Sequence, residues 1–162
     1  MILRLSKSLL VMAVALYVTL VVVNNLTDYA SNYAFVHHVL WMDSTFPGNH
    51  GMGRAIHPLW IHALFYDGII AWEIVTAGLL WAGSVQLLRA LGQPPAVFRK
   101  ARPLAIGGLT AGLLLWLVAF LSVGGEWFLM WQSATWNGEE AAFRMFAGMA
   151  LVLLYLVMPE GE

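Results

Sequence analysis

PLWIHALFYDGIIAWEIVTAGLLWAGSVQLLR, residues 58–89, decides the fold. The run is apolar enough to cross a bilayer, which needs about 20 such residues in helical form. Its first half nevertheless carries His62, Tyr66, Asp67 and Glu73. Charge inside hydrocarbon is costly, so each of these groups requires a partner, a wet cavity or a function.

The rest of the chain fits a membrane setting. Of 162 residues, 60% are hydrophobic and 10% are charged, against roughly 25% charged in soluble domains. The net charge is −1 and there is no basic stripe interleaved with aromatics, which argues against a nucleic-acid partner. With no cysteine, disulfides, iron–sulfur ligation, Cys-based zinc sites and thiol catalysis are excluded.

Working outward, three further apolar runs flank the first, giving expected spans at about 5–24, 62–88, 104–123 and 138–158. The first, behind Arg4 and Lys7, reads as a retained signal-anchor helix: its apolar core is long and no A-x-A site follows. Lys and Arg favour the cytoplasmic side. Arg4 and Lys7 precede span one, and Arg89, Arg99, Lys100 and Arg102 crowd the link 89–103. Both termini are therefore expected in the cytoplasm, with outer loops at 25–61 and 124–137. The fold class is all-α, an integral membrane four-helix transmembrane bundle in one domain, with aromatic segments at its outer interface.

Between spans one and two, Asp28 is placed to cap a short helix over 29–41, with Tyr33, Val36, His37 and Leu40 on one face. Span three carries Gly108 and Gly112 at the spacing that lets another backbone approach, read as packing within the monomer. Gly124 and Gly125 end or bend that span. Trp127, Trp131 and Trp136 form an expected interface belt, and Asn137 with Glu140 has capping-box spacing before span four. The chain closes on a short acidic tail over 159–162.

At about 1.5 Å per residue, Glu73 and Arg144 come to similar heights, on spans running in the same direction. Paired ions are cheaper than lone ones in a membrane, so Glu73 is expected to meet Arg144 directly or through water. Glu140, four residues before Arg144, and Glu126 are competing partners. Asp67 falls at the boundary, where water is available. His62, Tyr66 and Glu73 lie within roughly 60° of one another on a helical projection. With Arg144 and Glu126 they make an expected buried polar seam, which also suits a proton path or the wall of a quinone pocket.

All five histidines lie in or just below one outer stretch. His37, His38, His50 and His57 are candidate metal ligands, though at no familiar ligand spacing. A haem held within the bundle needs two facing histidines, and of the five only His62 lies on a span. No cofactor is expected; haem, quinone or a metal ion are the alternatives weighed. Nucleophile–base triads, phosphate loops and paired catalytic carboxylates have no signature here, so no catalytic residue is assigned.

Two stretches carry a resemblance: NNLTDYASNYAFVHHVLWMDSTFPGN (24–49) and GGEWFLMWQSATWNGEEAAFR (124–144). With the overall layout, they resemble a bacterial family of predicted small integral membrane proteins, a domain of unknown function with four transmembrane helices. The resemblance implies a multi-pass protein of the bacterial inner membrane and supplies no activity. The resulting expectation is a non-catalytic accessory or interaction subunit of an inner-membrane assembly, in contact with the lipid bilayer and with a membrane protein partner or further copies of itself. The rival is a membrane anchor that shapes a quinone or haem site for a respiratory redox partner. A small transporter-like oligomer is third.

Overall fold

A computed structural model describes residues 1–159; residues 160–162 of the acidic tail lie outside the described residues. The chain runs α1 (Ile2–Thr27), α2 (Tyr29–Trp41), α3 (Leu59–Arg89), α4 (Pro95–Lys100), α5 (Pro103–Leu114) and α6 (Glu139–Val157), with no strand among the described residues. Four candidate membrane spans result: Ile2–Thr27, Leu59–Arg89, Pro95–Trp127 and Glu139–Val157. The chain is an integral membrane protein with the architecture of a four-helix membrane bundle.

α3 is the central post, packed on α1 along one side and on α5 along the other. Its buried residues include His62, Tyr66, Ile70, Glu73, Ala77, Leu80, Ser84 and Leu87, two steps of four and then alternating threes and fours. That spacing keeps one seam turned inward over the whole helix, as in left-handed helical packing. The lower part of the seam meets Val11, Ala15 and Val18 of α1, Leu109 of α5, and Met149 and Leu156 of α6. Leu16, Leu20, Trp72, Val75, Leu151 and Leu154 point out of the bundle, as lipid-facing residues do.

Close helix approach depends on glycine. A Cβ on Gly83 would lie 2.5 Å from the Ala105 backbone nitrogen, and one on Gly112 would lie 2.4 Å from the Met149 sulfur. A Cβ on Gly108 would lie 2.8 Å from the Leu80 side chain. Both glycines of the expected packing motif thus face helices of their own chain.

Beyond Leu114 the third span continues as a wider, π-wound helix over Leu115–Trp127. The Ser122 hydroxyl donates to the Leu117 carbonyl at 2.9 Å, and the Phe128 N–H donates to Val123 at 3.0 Å, both five residues back. Gly124 and Gly125 therefore do not stop the helix. Windings of this kind are rare and are frequent at functional sites.

One end of the bundle is capped. α2 coincides with the short helix expected over 29–41 and packs on α3. Asp28 holds its N-cap position, yet its side chain makes no capping bond. Likewise α6 is capped by Gly138, not through an Asn137–Glu140 box: Asn137 Oδ1 accepts from the Glu139 N–H at 3.0 Å, while Glu140 turns to Arg144. The loop after α2 and the hairpin before α6 are tied by Ser44 to Ser133 (2.7 Å), by the Phe46 N–H to Gln132 Oε1 (3.0 Å) and by Arg54 to the Trp127 carbonyl (3.1 Å).

The opposite end is basic. Arg4 donates to the Gln93 carbonyl at 2.7 Å, and Lys7, almost fully buried, donates to the Met158 carbonyl. Each cation thereby meets carbonyls at or beyond a helix C-terminus, where the helix dipole favours positive charge. Arg4 and Arg102 both lie over the buried Phe98 ring, at 5.4 and 5.6 Å from its centre.

Candidate functional site: a polar seam and the cleft beside it

At the capped end, the seam of α3 turns polar. His62 is fully buried, and Tyr66 and Glu73 are each 2% exposed. Tyr66 donates from its hydroxyl to the Asn25 carbonyl at 3.2 Å, and the Asn25 amide donates to Glu73 Oε2 at 2.8 Å. Asn25 thus ties the last turn of α1 to two buried polar groups on α3. No hydrogen bond reaches Glu73 Oε1 among the described residues.

Above this, His62 Nε2 bonds the Ile56 carbonyl at 2.7 Å, and His62 Nδ1 meets His37 Nδ1 at 2.9 Å. Burial, then the neighbouring His62 and His38 rings, hold His37 below the usual histidine range, with Asp43 opposing. His38 bonds Asp43 at 2.7 Å and stacks on Trp136, ring centres 4.4 Å apart. Tyr29 donates to the exposed Asp67 at 2.8 Å. Desolvation first, and that hydrogen bond second, push the Tyr29 phenol up to about 12.

Arg144 and Glu126, both expected in the seam, lie outside it. Arg144 is exposed on α6 and pairs with Glu140 at 3.3 Å, so no direct Glu73–Arg144 ion pair forms. The cause is rotation about the helix axis: α6 turns Ala142, Met149 and Leu156 inward, and a residue two positions from Ala142 faces away. Glu126 is exposed where the π helix ends. The candidate metal set is also dispersed. His37 pairs with His62, His38 pairs with Asp43, and His57 packs edge-on to Trp41. His50 joins none of them, and no group of three His, Cys, Asp or Glu is placed to hold a metal ion among the described residues. Of the expected belt, Trp127 and Trp131 are exposed, whereas Trp136 is packed between His38 and Phe35.

Two cavities adjoin the seam. One, of about 210 Å³, is wholly apolar and lies between α2, α3 and the π helix, with Val39, Phe65, Ala119 and Phe128 in its walls. The other, of about 170 Å³, is lined by Asn25, Asn32, Tyr66, Glu73 and Trp116. Phe35, Val36, Ile69 and Phe120 line both, so the two cavities share a wall and lie side by side, an apolar and a polar part of the same cleft.

Sequence reasoning missed Asn25. The available signal was an amide at the end of one span, within reach of an unexplained carboxyl on the next.

No curated protein and no solved structure matches the chain. A family model does match, over residues 3–159. The chain belongs to that family, described as predicted small integral membrane protein (DUF2165).

Proposed function

We propose that the protein is a non-catalytic accessory or interaction subunit of a bacterial inner-membrane assembly, seated against a helix of another membrane protein. The observation that carries this is a groove of about 350 Å³ between α1 and α6, lined by Leu10, Ala13, Tyr17, Arg144, Gly148 and Val152. Ala13 and Gly148 leave space for a close helix, since small residues let transmembrane backbones approach. Arg144 stands at the groove's end with its side chain 68% exposed, five residues into α6. A partner helix with a carboxylate at that height complements it better than lipid tails do. Arg89, Arg99 and Lys100, all exposed at the basic end, support cytoplasmic termini and an outward cap.

The test is purification from native membranes in a gentle detergent, followed by mass spectrometry, for the wild type, Arg144→Glu and Gly148→Leu. The reading requires one stable partner that both substitutions release from an otherwise folded bundle. Co-purification that is indifferent to both substitutions removes the α1–α6 groove as the docking face. A monomer without partners removes the reading itself.

A further inference from the structure

The cleft beside Glu73 is independent of the α1–α6 groove, and its chemistry is more specific. We infer that it binds a neutral amphiphile, a long apolar chain ending in a small head that offers a carbonyl or hydroxyl to Glu73 and Asn25.

Several observations converge on this class of ligand. The two adjoining cavities together reach the range of roughly 300–1,000 Å³ typical of small-molecule sites, which are mostly apolar with a few placed polar groups, and a ligand spanning both has to move the side chains of their shared wall. The apolar end is walled by side chains such as Val39, Ala119 and Phe128. It suits a hydrocarbon chain and offers a charged head nothing to bind. The polar end presents Glu73, 2% exposed, with one oxygen bonded by Asn25 and the other without a hydrogen bond among the described residues. That oxygen is not sealed in protein but opens on the cavity Glu73 lines, and a ligand hydroxyl or carbonyl there would bond it according to its protonation state. A phosphate head is disfavoured, because no Lys or Arg lines either cavity and the resident acid would repel it.

Access is lateral. Phe65 on α3 and Val118 on the π helix both line the apolar cavity and are exposed on the bundle surface, so a chain enters from the bilayer between these two helices, beneath α2. The π winding lies along one wall, contributing Val118, Ala119, Phe120 and Val123. Trp116 stands at the polar end and serves as a reporter of occupancy.

The test uses the full chain in phosphatidylcholine nanodiscs, with tryptophan fluorescence read during titration. Two probes separate the head chemistries: a decyl-substituted benzoquinone, which only accepts hydrogen bonds, and 1-decanol, which also donates one. Saturable binding of either probe is expected. Ala119→Phe, which fills the apolar end, and Glu73→Gln, which removes the carboxyl, are each expected to weaken it by roughly tenfold or more. Preference for the quinone assigns a carbonyl head, and preference for the alcohol assigns a hydroxyl head. A linear, non-saturating response equal in wild type and Ala119→Phe overturns the site. Ala119 faces the cavity away from the polar seam, so this variant keeps the test decisive even where Glu73→Gln impairs folding.

Discussion

His37 donates from Nδ1 to the bare Nδ1 of His62 across 2.9 Å, and the surroundings decide that direction. His62 Nε2 lies 2.7 Å from the Ile56 carbonyl, which can only accept, so Nε2 carries the His62 proton. The neutral pair therefore has one tautomeric arrangement. Through Ile56, whose N–H donates to the Leu40 carbonyl at 2.9 Å, the same contact ties α2 and the following loop to α3.

The first prediction is that the cap loosens in mild acid. Burial holds His37 below the usual range, so the folded state keeps this ring neutral while the unfolded chain takes up a proton near pH 6.5. Where the unfolded state binds more protons, stability rises with pH. The contribution is therefore complete above about pH 6.5 and is lost as pH falls from there through the lower folded value. Thermal unfolding in mild detergent between pH 7.5 and 5 should show this decline, and His37→Phe should flatten it. Equal pH slopes in the two proteins would exclude His37 as the sensor.

Asn25→Leu should be more damaging than Glu73→Gln. Removing the amide leaves the buried Glu73 carboxyl without its donor, a loss of about 1–3 kcal/mol, while the Tyr66 bond to the residue-25 backbone carbonyl is kept. Glu73→Gln keeps an oxygen to accept from Asn25, and its cost should stay near the low end of that range. Denaturant unfolding ranks the two variants, and a cycle of Asn25→Leu with Glu73→Leu, which removes the acceptor altogether, measures the coupling. If the two effects simply add, the contact contributes nothing by itself.

The sequence made much of this legible, and its failure has a definite shape. Hydropathy marks all four spans because lipid demands long apolar helices with internally bonded backbones. Counting along the helices placed Glu73 and Arg144 at matching heights, and height follows from the rise per residue alone. Rotation about the axis is a separate coordinate. For α6 it is readable only once Ala142, Met149 and Leu156, seven apart, are seen as the inward row. The partner of Glu73 was hidden for another reason. An asparagine near the end of a hydrophobic run looks like interface, and only the packing of α1 on α3 brings it over the carboxyl. The histidines likewise sit close in sequence, while helix geometry sends His37 and His38 to different neighbours.

Gly83 presses on the backbone of another helix, although no GxxxG spacing announces it. A methyl group there would press on the Ala105 backbone, which cannot swing aside as a side chain can. Gly83→Ala should force α3 and α5 apart at a cost of about 1–3 kcal/mol, the usual penalty for overpacking. Gly78, on the same helix with nothing within 4 Å of the added carbon, is the control. Gly78→Ala should be neutral, or stabilising by up to about 1 kcal/mol through helix propensity. Melting temperatures that rank the two variants the other way would contradict the close α3–α5 contact.

The hairpin before α6 should depend on Ser133 more than on its partner Ser44. The Ser133 hydroxyl, buried, accepts from the Trp136 N–H at 2.8 Å and the Thr135 N–H at 3.3 Å, and receives the Ser44 hydroxyl at 2.7 Å. Ser133→Ala removes all three bonds and leaves two backbone donors without that acceptor, whereas Ser44→Ala removes one neutral bond worth about 0.5–1.5 kcal/mol. Because Trp136 also stacks on His38, the larger loss should spread to α2. Amide exchange in detergent should then quicken over residues 133–138 and at the C-terminal end of α2 in Ser133→Ala, with the membrane-spanning helices unchanged. In Ser44→Ala the same amides should stay close to wild type. Equal exchange in both variants would show that the Ser44–Ser133 contact, not the turn built on Ser133, holds the cap closed.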